Sequence, residues 1–288
     1  MALADITINQ PHQGSTTIDM TVSGSSWEQW FLVTSDRHHD NALTDWDLEK
    51  KHLEEAVERD AGILDFGDLL CLMQGKWDSR ADISQCRPEH QDGRYLDSVV
   101  ETAVDFYAPE AKNWIFVSPG NHETSVLRRH ETDMTARFVE GMRRVGAENL
   151  VKGTYAGFIR FSAKMHGRQS SRLVMGYTHG YGGGGPVTKG VIQTNRQATY
   201  LPDCNIVVSG HVHEQWSMNI ARSRLSHVGK PYTDRQLHLK MGGYKREFEH
   251  YEGWATERGH PPKPLGAWWI RMYVNNERRL DFDVQEAK

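Results

Sequence analysis

Seven carboxylate, amide and imidazole side chains stand where short apolar runs of this sequence end. Imidazoles and carboxylates together suit first-row divalent metal ions, an Asn carbonyl adds a neutral oxygen ligand, and no thiolate occurs at these positions. The set therefore predicts a site for Mn, Fe or Zn, with enough ligands for two ions that activate a hydroxide and clamp a phosphoryl group. The residues are Asp36, His38, Asp68, Asn121, His179, His211 and His213.

These side chains are far apart in sequence, so the fold must bring them together. Short apolar runs that end at them have the length of buried strands. The runs lie at 30–35, 62–68, 114–121, 172–179 and 205–213. In open α/β sheets, ligands gather outside the carboxyl ends of the strands, so we expect the five ends to converge. One polar strand end is an ordinary loop start, but five in succession indicate a site.

Helical patterns separate several of these strands. The first follows Thr44, a predicted N-cap, and the third is predicted to run continuously after residue 121. The segments 17–22 and 151–164 and the last 70 residues read as strands. We expect an α/β (α+β) fold with central mixed β-sheets flanked by helices, a layered architecture. The helix residues predicted to face inward are Trp46, Leu53, Ala56, Val57, Leu96, Val99, Val100, Ala103, Tyr107, Leu127, Met134, Phe138 and Met142.

Composition restricts the classes of function. The chain has 288 residues, 38% of them hydrophobic, which predicts a single globular domain over 1–288. Its 34 Lys and Arg against 38 Asp and Glu give a net charge of −4, so any phosphate binding must be local. Cys71, Cys86 and Cys204 show no paired spacing, and no signal peptide or long apolar run is present. We expect a cytoplasmic protein, in a cell or a phage-infected host, without a membrane partner.

The polar strand ends form an ordered set of short motifs. They read Asp36-Arg37-His38, Gly67-Asp68, Gly120-Asn121-His122-Glu123, His179 and Gly210-His211-Val212-His213, and the first ligands of successive motifs are 32, 53, 58 and 32 positions apart. This set resembles the calcineurin-like metallophosphoesterase superfamily, and the overall pattern is similar to phage-encoded members. The resemblance covers a core of about 27–220 and leaves a strand-rich and aromatic-rich C-terminal extension of about 221–288.

The resemblance assigns roles to these residues. It implies that Asp36, His38 and His213 bind one ion, that Asn121, His179 and His211 bind the other, and that Asp68 bridges them. His122 matches the catalytic histidine, which donates a proton to the leaving oxygen or steadies the charge developing on the phosphoryl group. The implied attacking species is a metal-bridging hydroxide. Two divalent ions are implied, with Mn favoured and Fe, Zn, Ni or Co as alternatives.

Departures from the family pattern concern the surroundings of His122. Cys71 stands three residues after Asp68, where protein phosphatases have Asp and some nucleases have His, and it reads as a small buried hydrophobe. The partner of His122 is therefore open, with Asp40, Asp78 and Glu123 as candidates. The arginine of the phosphatase GDxVDRG motif is absent, because LLCLMQG follows Asp68, and Pro119 replaces a second arginine. These departures count against a phosphoprotein phosphatase.

Other residues are candidates for substrate binding. The glycine-rich segment 181–190 lacks the order of a P-loop and reads as a flexible loop, in which Lys189 is available to substrate. Arg128, on the helix after the third motif, lies either on a solvated face or against a substrate phosphate. The C-terminal region mixes aromatic and basic residues as base-stacking surfaces do, yet Trp268 to Ile270 read more simply as a buried strand.

The sequence thus predicts a metal-dependent phosphoesterase. Phosphodiesters of nucleic acid (DNA or RNA) or nucleotides are the favoured substrates, because the phosphatase-specific residues are missing. The alternative is a phosphomonoesterase acting on small molecules or proteins. A non-catalytic binding scaffold is disfavoured, since every predicted ligand and His122 are present. The sequence leaves the native substrate and the oligomeric state open.

Overall fold

Two β-sheets form the centre of the molecule. The computed structural model describes residues 6–74, 81–165, 170–183, 185–248, 254–257 and 259–288. In chain order the strands are β1 (Ile6–His12), β2 (Ser15–Thr21), β3 (Glu28–Thr34), β4 (Gly62–Asp65), β5 (Trp114–Val117), β6 (Val151–Lys152), β7 (Ala156–Lys164), β8 (Ser170–Thr178), β9 (Ile206–Ser209), β10 (Trp216–Leu225), β11 (Pro231–Lys240), β12 (Ala267–Val274) and β13 (Leu280–Ala287). The helices are α1 (Trp46–Glu58), α2 (Tyr95–Tyr107), α3 (Asn121–His130), α4 (Met134–Arg144), α5 (Val191–Tyr200) and α6 (Trp254–Glu257).

Both sheets are mixed, as the sequence predicted. The seven-stranded sheet has the order β1-β2-β7-β8-β9-β11-β10, with parallel pairs between β2 and β7, β8 and β9, and β9 and β11. The six-stranded sheet has the order β13-β12-β3-β4-β5-β6, and β3 to β6 are parallel. Strands from the last 70 residues pair within both sheets, since β11 lies beside β9 and β12 beside β3.

The core has two layers, which follow from the alternation of side chains along β3. Phe31 and Val33 belong to the apolar cluster between the two sheets, where the rings of Phe31 and Phe161 meet with centroids 5.1 Å apart. Leu32 points the other way, into the cluster formed with α1, α2 and α4. Burying a side chain of this size contributes ~1.5–3 kcal/mol. The fold is therefore a layered α/β structure in which helices flank the six-stranded sheet.

The helices differ from the sequence prediction at their ends. Asp45, rather than Thr44, caps α1, because its Oδ1 accepts from the Leu48 amide at 3.0 Å. The predicted third helix is two helices, since Glu131 adopts a left-handed conformation (φ 53°) and Asp133 caps α4. Two residues predicted to face inward are exposed instead, Val57 by 51% and Leu127 by 43%.

The helices are short. A bilayer span needs ~20 apolar residues in one helix, and α1 and α2, the longest in the described ranges, have 13 residues each. None of the described helices can therefore be a membrane span.

Candidate metal centre

The five polar strand ends converge at the seam between the two sheets. Asp36 follows β3, Asp68 follows β4 and Asn121 begins α3 after β5, all in the six-stranded sheet. His179 follows β8 and His211 follows β9 in the seven-stranded sheet. Convergence of the carboxyl strand ends, which the sequence predicted, is thus a property of the fold.

Backbone hydrogen bonds tie the first two loops together. The amides of Asp36 and His38 donate to the carbonyls of Gly67 and Asp68, each at 2.9 Å. Across the seam, the His211 amide donates to the Asp36 carboxylate at 3.0 Å. The ligand-bearing loops therefore position one another through main-chain groups, which the sequence pattern does not report.

One group of possible ligand atoms comprises Asp36, His38 and His213. Their ligand atoms lie within 4.8 Å of one another. His38 Nε2 is 3.2 Å from His213 Nε2, which in turn is 3.4 Å from Asp36 Oδ1. Ligand atoms around one ion with bonds of ~2.1 Å lie roughly 3–3.5 Å apart, so these donors are spaced as a single cation requires.

A second group comprises Asp68, His179 and His211. His179 Nε2 lies 3.0 Å from Asp68 Oδ2, and Asn121 Oδ1 lies 3.1 Å from His179 Nε2 and 2.7 Å from His211 Nδ1. His179 Nδ1 donates to the Phe66 carbonyl at 3.0 Å, which leaves the Nε2 lone pair for a cation. All seven predicted ligands are brought together, and their assignment to two ions stays a prediction.

The motif glycines lie where no side chain can fit. A Cβ on Gly120 would stand 2.1 Å from Asp68 Oδ1, and one on Gly210 would stand 2.1 Å from Ser35 Oγ and 2.5 Å from Asp36 Oδ2. Gly67, with φ +99°, packs against the Gly120 backbone. The glycines of the GD, GNHE and GHVH motifs therefore allow the carboxylates to approach the neighbouring backbone.

Five of the seven predicted ligands have left-handed backbone conformations. A residue with a side chain adopts such a conformation at a cost of ~1–2 kcal/mol. The φ angles are 55° at Asp36, 49° at His38, 52° at Asp68, 73° at His211 and 51° at His213. Strain of this kind is held in place by surrounding contacts and is concentrated at functional sites in proteins.

The electrostatics of the centre favour a bound cation. Burial opposes ionisation of Asp36, but His213 and His179 outweigh it and hold the pKa of this carboxyl below its ordinary value. Burial likewise opposes protonation of His179, yet the Asp68 and Asp36 carboxylates raise its pKa to about 10. Burial and the adjacent imidazoles lower the pKa of His38, so one of its ring nitrogens keeps a lone pair for a cation. This donor set fits divalent ions that prefer nitrogen and oxygen ligands.

His122 lies beside Asp68 at the edge of both groups. Its Nε2 is 3.6 Å from Asp68 Oδ2, and its amide donates to Asp68 Oδ1 at 2.9 Å. Its Nδ1 donates to the backbone carbonyl of Cys71. Of the candidate partners, Asp40 and Glu123 bind elsewhere and Asp78 lies outside the described residues. Residue types could not reveal this partner, because it is a main-chain oxygen.

Asp40 and Glu123 hold the loop after β4. The Asp40 carboxylate accepts from the Cys71 amide at 2.5 Å, the Leu72 amide at 3.0 Å and the Tyr95 hydroxyl at 2.6 Å. Asp40 therefore positions the loop that supplies the acceptor for His122.

The Glu123 carboxylate accepts from the amides of Asp68, Leu70 and Gly120 at 2.8–3.2 Å. Burial and the neighbouring Asp68 raise the pKa of Glu123 to about 8. A cation beside Asp68 would offset this effect and favour the ionised form, which suits three N–H donors. Glu123 thus links the second motif to the third through main-chain groups.

A buried ion network that the sequence reading missed supports the first motif. Arg37 has a fully buried side chain, and its guanidinium lies 3.0 Å from Asp65 Oδ2 and 2.8 Å from Glu49 Oε1. The rings of Tyr107 and Tyr244 lie 5.4 and 5.2 Å from it. The sequence contains a possible sign of this network, because Asp65 is a charged residue within an apolar strand and Glu49 is a charged residue near the apolar face of α1. The network therefore anchors Arg37, which lies between the predicted ligands Asp36 and His38 in the sequence.

Lys189 and Arg128 do not join the ligand groups. Lys189 Nζ is 3.9 Å from Glu214 Oε2, and its side chain is 54% exposed. Arg128 is exposed and its Nε donates to the Thr124 carbonyl in its own helix. Their contacts with substrate stay predictions.

Aromatic residues account for one omission and one correct interpretation of the sequence. Tyr155, which the sequence reading missed, packs its ring against His179 with centroids 5.7 Å apart and donates its hydroxyl to the Gly180 carbonyl at 2.6 Å. Trp268 to Ile270 are buried in β12, as the buried-strand interpretation predicted, so they do not offer a surface to stack bases.

Solved structures resemble this chain at low sequence identity. No family model and no curated protein matches the sequence. A conserved uncharacterized protein from Streptococcus pneumoniae TIGR4, a predicted phosphoesterase, has a structure similar over 90% of this chain and 98% of its own, with 11% identity and a TM-score of 0.32. GAP50, the anchor in the inner membrane complex of Plasmodium, is similar over 91% of this chain and 85% of its own, with 10% identity and a TM-score of 0.43. Similarities of this size do not bear on the activity of this chain.

Proposed function

We propose that this protein is a metal-dependent phosphoric ester hydrolase that acts on phosphodiesters with two divalent ions. One observation carries the proposal: two groups of nitrogen and oxygen ligand atoms lie side by side at the strand ends, with Asp68 in the second group and His122 beside it. When bound, the ions would supply a hydroxide nucleophile and neutralise charge on the phosphoryl group. Mn is the favoured metal, with Fe, Zn, Ni or Co as alternatives that the same ligands accept.

The chain's own residues would divide the remaining work. Asp36, His38 and His213 would hold one ion, while Asn121, His179 and His211 would hold the other. The Asp68 carboxylate, which belongs to the second group and is in electrostatic contact with His38, would bridge the two ions.

His122 would act as the general acid. Its Nδ1–H bonds to the Cys71 carbonyl, which fixes the ring with Nε2 toward Asp68. Transfer of the Nε2 proton to the leaving oxygen would leave a neutral imidazole whose Nδ1–H bond persists. A positioned acid of this kind contributes ~10²–10⁴-fold to a rate. We therefore expect His122→Ala to retain the metal ions and to lose at least about 10²-fold in hydrolysis.

The residues around the centre favour diesters over monoesters. The arginines that the phosphatase motifs carry after the second motif and before the third are absent, and Pro119 precedes the third. Nucleic acid or nucleotides are the substrate class we propose. A phosphomonoesterase acting on small molecules or proteins is the second candidate, since the same metal chemistry serves both esters.

The test compares two chromogenic esters. Metal-stripped protein is resupplied with Mn²⁺ and assayed on bis-p-nitrophenyl phosphate and p-nitrophenyl phosphate, with His122→Ala as control. Faster cleavage of the diester with an inactive control is the expected result. Cleavage of the monoester alone would favour the second candidate. Binding of metal without cleavage of either ester would overturn the proposal and favour a binding scaffold.

A further inference from the structure

A thiol lies among the imidazoles at the edge of the candidate metal centre. Ligand atoms of His38, Cys71 and His122 lie within 4.8 Å of one another, and all three residues are buried. We call these residues the thiol cluster. It shares His38 with the first ligand group but differs from both groups because it contributes sulfur.

Contacts on three sides fix the position of Cys71. Its amide donates to Asp40 Oδ1, its carbonyl accepts from His122 Nδ1, and Asn41 Nδ2 donates to its sulfur at 3.3 Å. The sulfur is therefore held beside the imidazoles by the same loop that orients His122.

His38 has a buried ring nitrogen that makes no hydrogen bond with the first ligand group. Its Nε2 faces His213 in the first ligand group, whereas its Nδ1 is buried without a hydrogen-bond partner among the described residues. Its ring meets that of His122 with centroids 4.9 Å apart and planes at 73°. A buried polar atom left in this state costs ~1–3 kcal/mol, which a bound cation would offset.

We propose that the thiol cluster binds a thiophilic divalent cation such as Zn²⁺ or Cd²⁺, through the Cys71 sulfur and one ring nitrogen each of His38 and His122. One sulfur and two nitrogens, with a fourth position left for water, form a ligand set that Zn²⁺ accepts and that Mn²⁺ and Mg²⁺ disfavour. On binding, the sulfur–cation bond replaces the S–H bond and the proton leaves to solvent.

Occupation of the thiol cluster would inhibit hydrolysis. His122 would bind the cation through a ring nitrogen and could no longer donate a proton to the leaving oxygen. His38 would bind the same cation and would no longer serve as a ligand in the first group. This consequence, unlike the binding itself, rests on the proposed function. The protein would thus use Mn²⁺ in the two ligand groups as its activator and respond to an excess of Zn²⁺ at the adjacent thiol cluster.

The binding test uses Co²⁺ as a coloured substitute for Zn²⁺. Co²⁺ is titrated into the metal-stripped full chain while the near-ultraviolet thiolate-to-cobalt charge-transfer band is recorded. We expect the band in the wild type and in Cys86→Ser and Cys204→Ser, whose buried thiols lie outside the cluster, and its loss in Cys71→Ser. Absence of the band in the wild type, or its persistence in Cys71→Ser, would overturn the proposal.

A second measurement needs no variant and covers the case in which Cys71→Ser does not fold, as judged by circular dichroism. X-ray absorption of the Zn²⁺-loaded wild type should show a sulfur neighbour at ~2.3 Å. A first shell of nitrogen and oxygen alone would overturn the proposal.

Inhibition is measured separately. Zn²⁺ is added to the Mn²⁺-activated protein during hydrolysis of bis-p-nitrophenyl phosphate. We expect the inhibitory concentration to rise by about tenfold or more in Cys71→Ser, since loss of a group that only orients a metal ligand already costs 10–100-fold in affinity and Cys71 would be a direct ligand. An unchanged inhibitory concentration would overturn the inhibitory role. A charge-transfer band in a protein that hydrolyses neither ester would sustain the thiol cluster while overturning the proposed function.

Discussion

Gly120 is the position where the smallest change to the chain should have the largest effect on the candidate centre. A Cβ there would lie 2.1 Å from Asp68 Oδ1 and 2.3 Å from the Asp68 amide nitrogen, whereas ordinary contacts begin near 3.4 Å. Because one of these atoms is backbone, rotation of the Asp68 side chain cannot relieve the overlap. Gly120→Ala therefore forces Asp68 to retreat by about 1 Å, and a displacement of that size costs on the order of 10²-fold in rate.

The assay separates damage to the centre from damage to the fold. We expect Gly120→Ala to remain folded with about 1–3 kcal/mol less stability, the usual cost of overpacking, to retain less Mn²⁺ after dialysis, and to hydrolyse bis-p-nitrophenyl phosphate about 10²-fold more slowly. Urea unfolding, elemental analysis and the steady-state rate measure these quantities. Gly93→Ala is the matched control, because no heavy atom lies within 4 Å of a Cβ at Gly93.

Two results would refute this reasoning. Gly120→Ala with the metal content and rate of the wild type would mean that Asp68 does not need its present position. Equal losses in Gly120→Ala and Gly93→Ala would mean that the effect comes from replacing glycine in general rather than from the contact with Asp68.

Three further predictions concern the surroundings of the centre. Arg37→Met leaves the buried Glu49 and Asp65 carboxylates without their counter-ion, so urea unfolding should show a loss of ~3–5 kcal/mol; a loss below 1 kcal/mol would contradict this. Asp40→Ala frees the loop after β4, so kcat should fall about tenfold while elemental analysis finds unchanged Mn²⁺; an unchanged kcat would contradict the positioning role. Burial, with nearby cations, lowers the pKa of His52 to about 4. Between pH 6.5 and 4 the unfolded chain therefore binds a proton that the folded chain does not, and stability falls as pH falls. His52→Asn should reduce the dependence of the unfolding free energy on pH between pH 6.5 and 4, and an unchanged dependence would rule out this contribution.

The convergence of the candidate ligands could be predicted from the sequence, because they stand at the ends of apolar runs whose length indicates strands; that they bind metal stays a prediction. Mixed sheets were also predictable, since consecutive strands at 151–164 and near the C-terminus break the alternation with helices. The predicted bridging role of Asp68 and the substrate contacts of Lys189 stay predictions.

Other features depend on contacts that residue types do not report. The partner of His122 is a main-chain carbonyl, so no search for a side chain could find it. Asp45 and Thr44 are both good capping residues, and only the folded geometry assigns the cap to Asp45. The apolar spacing of Leu127 and Met134 fits one continuous helix, although the left-handed Glu131 ends the first helix between them.

The left-handed backbone conformations of the candidate ligands have a consequence for the evolution of the protein. At ~1–2 kcal/mol each, five such conformations amount to about 5–10 kcal/mol, which is comparable with the stability of an ordinary domain. In a lineage released from the proposed hydrolysis, glycine at His38, His211 or His213 would remove a candidate ligand and relieve the backbone strain in the same substitution. Loss of the candidate centre would therefore cost less stability at these positions than loss of an unstrained buried residue.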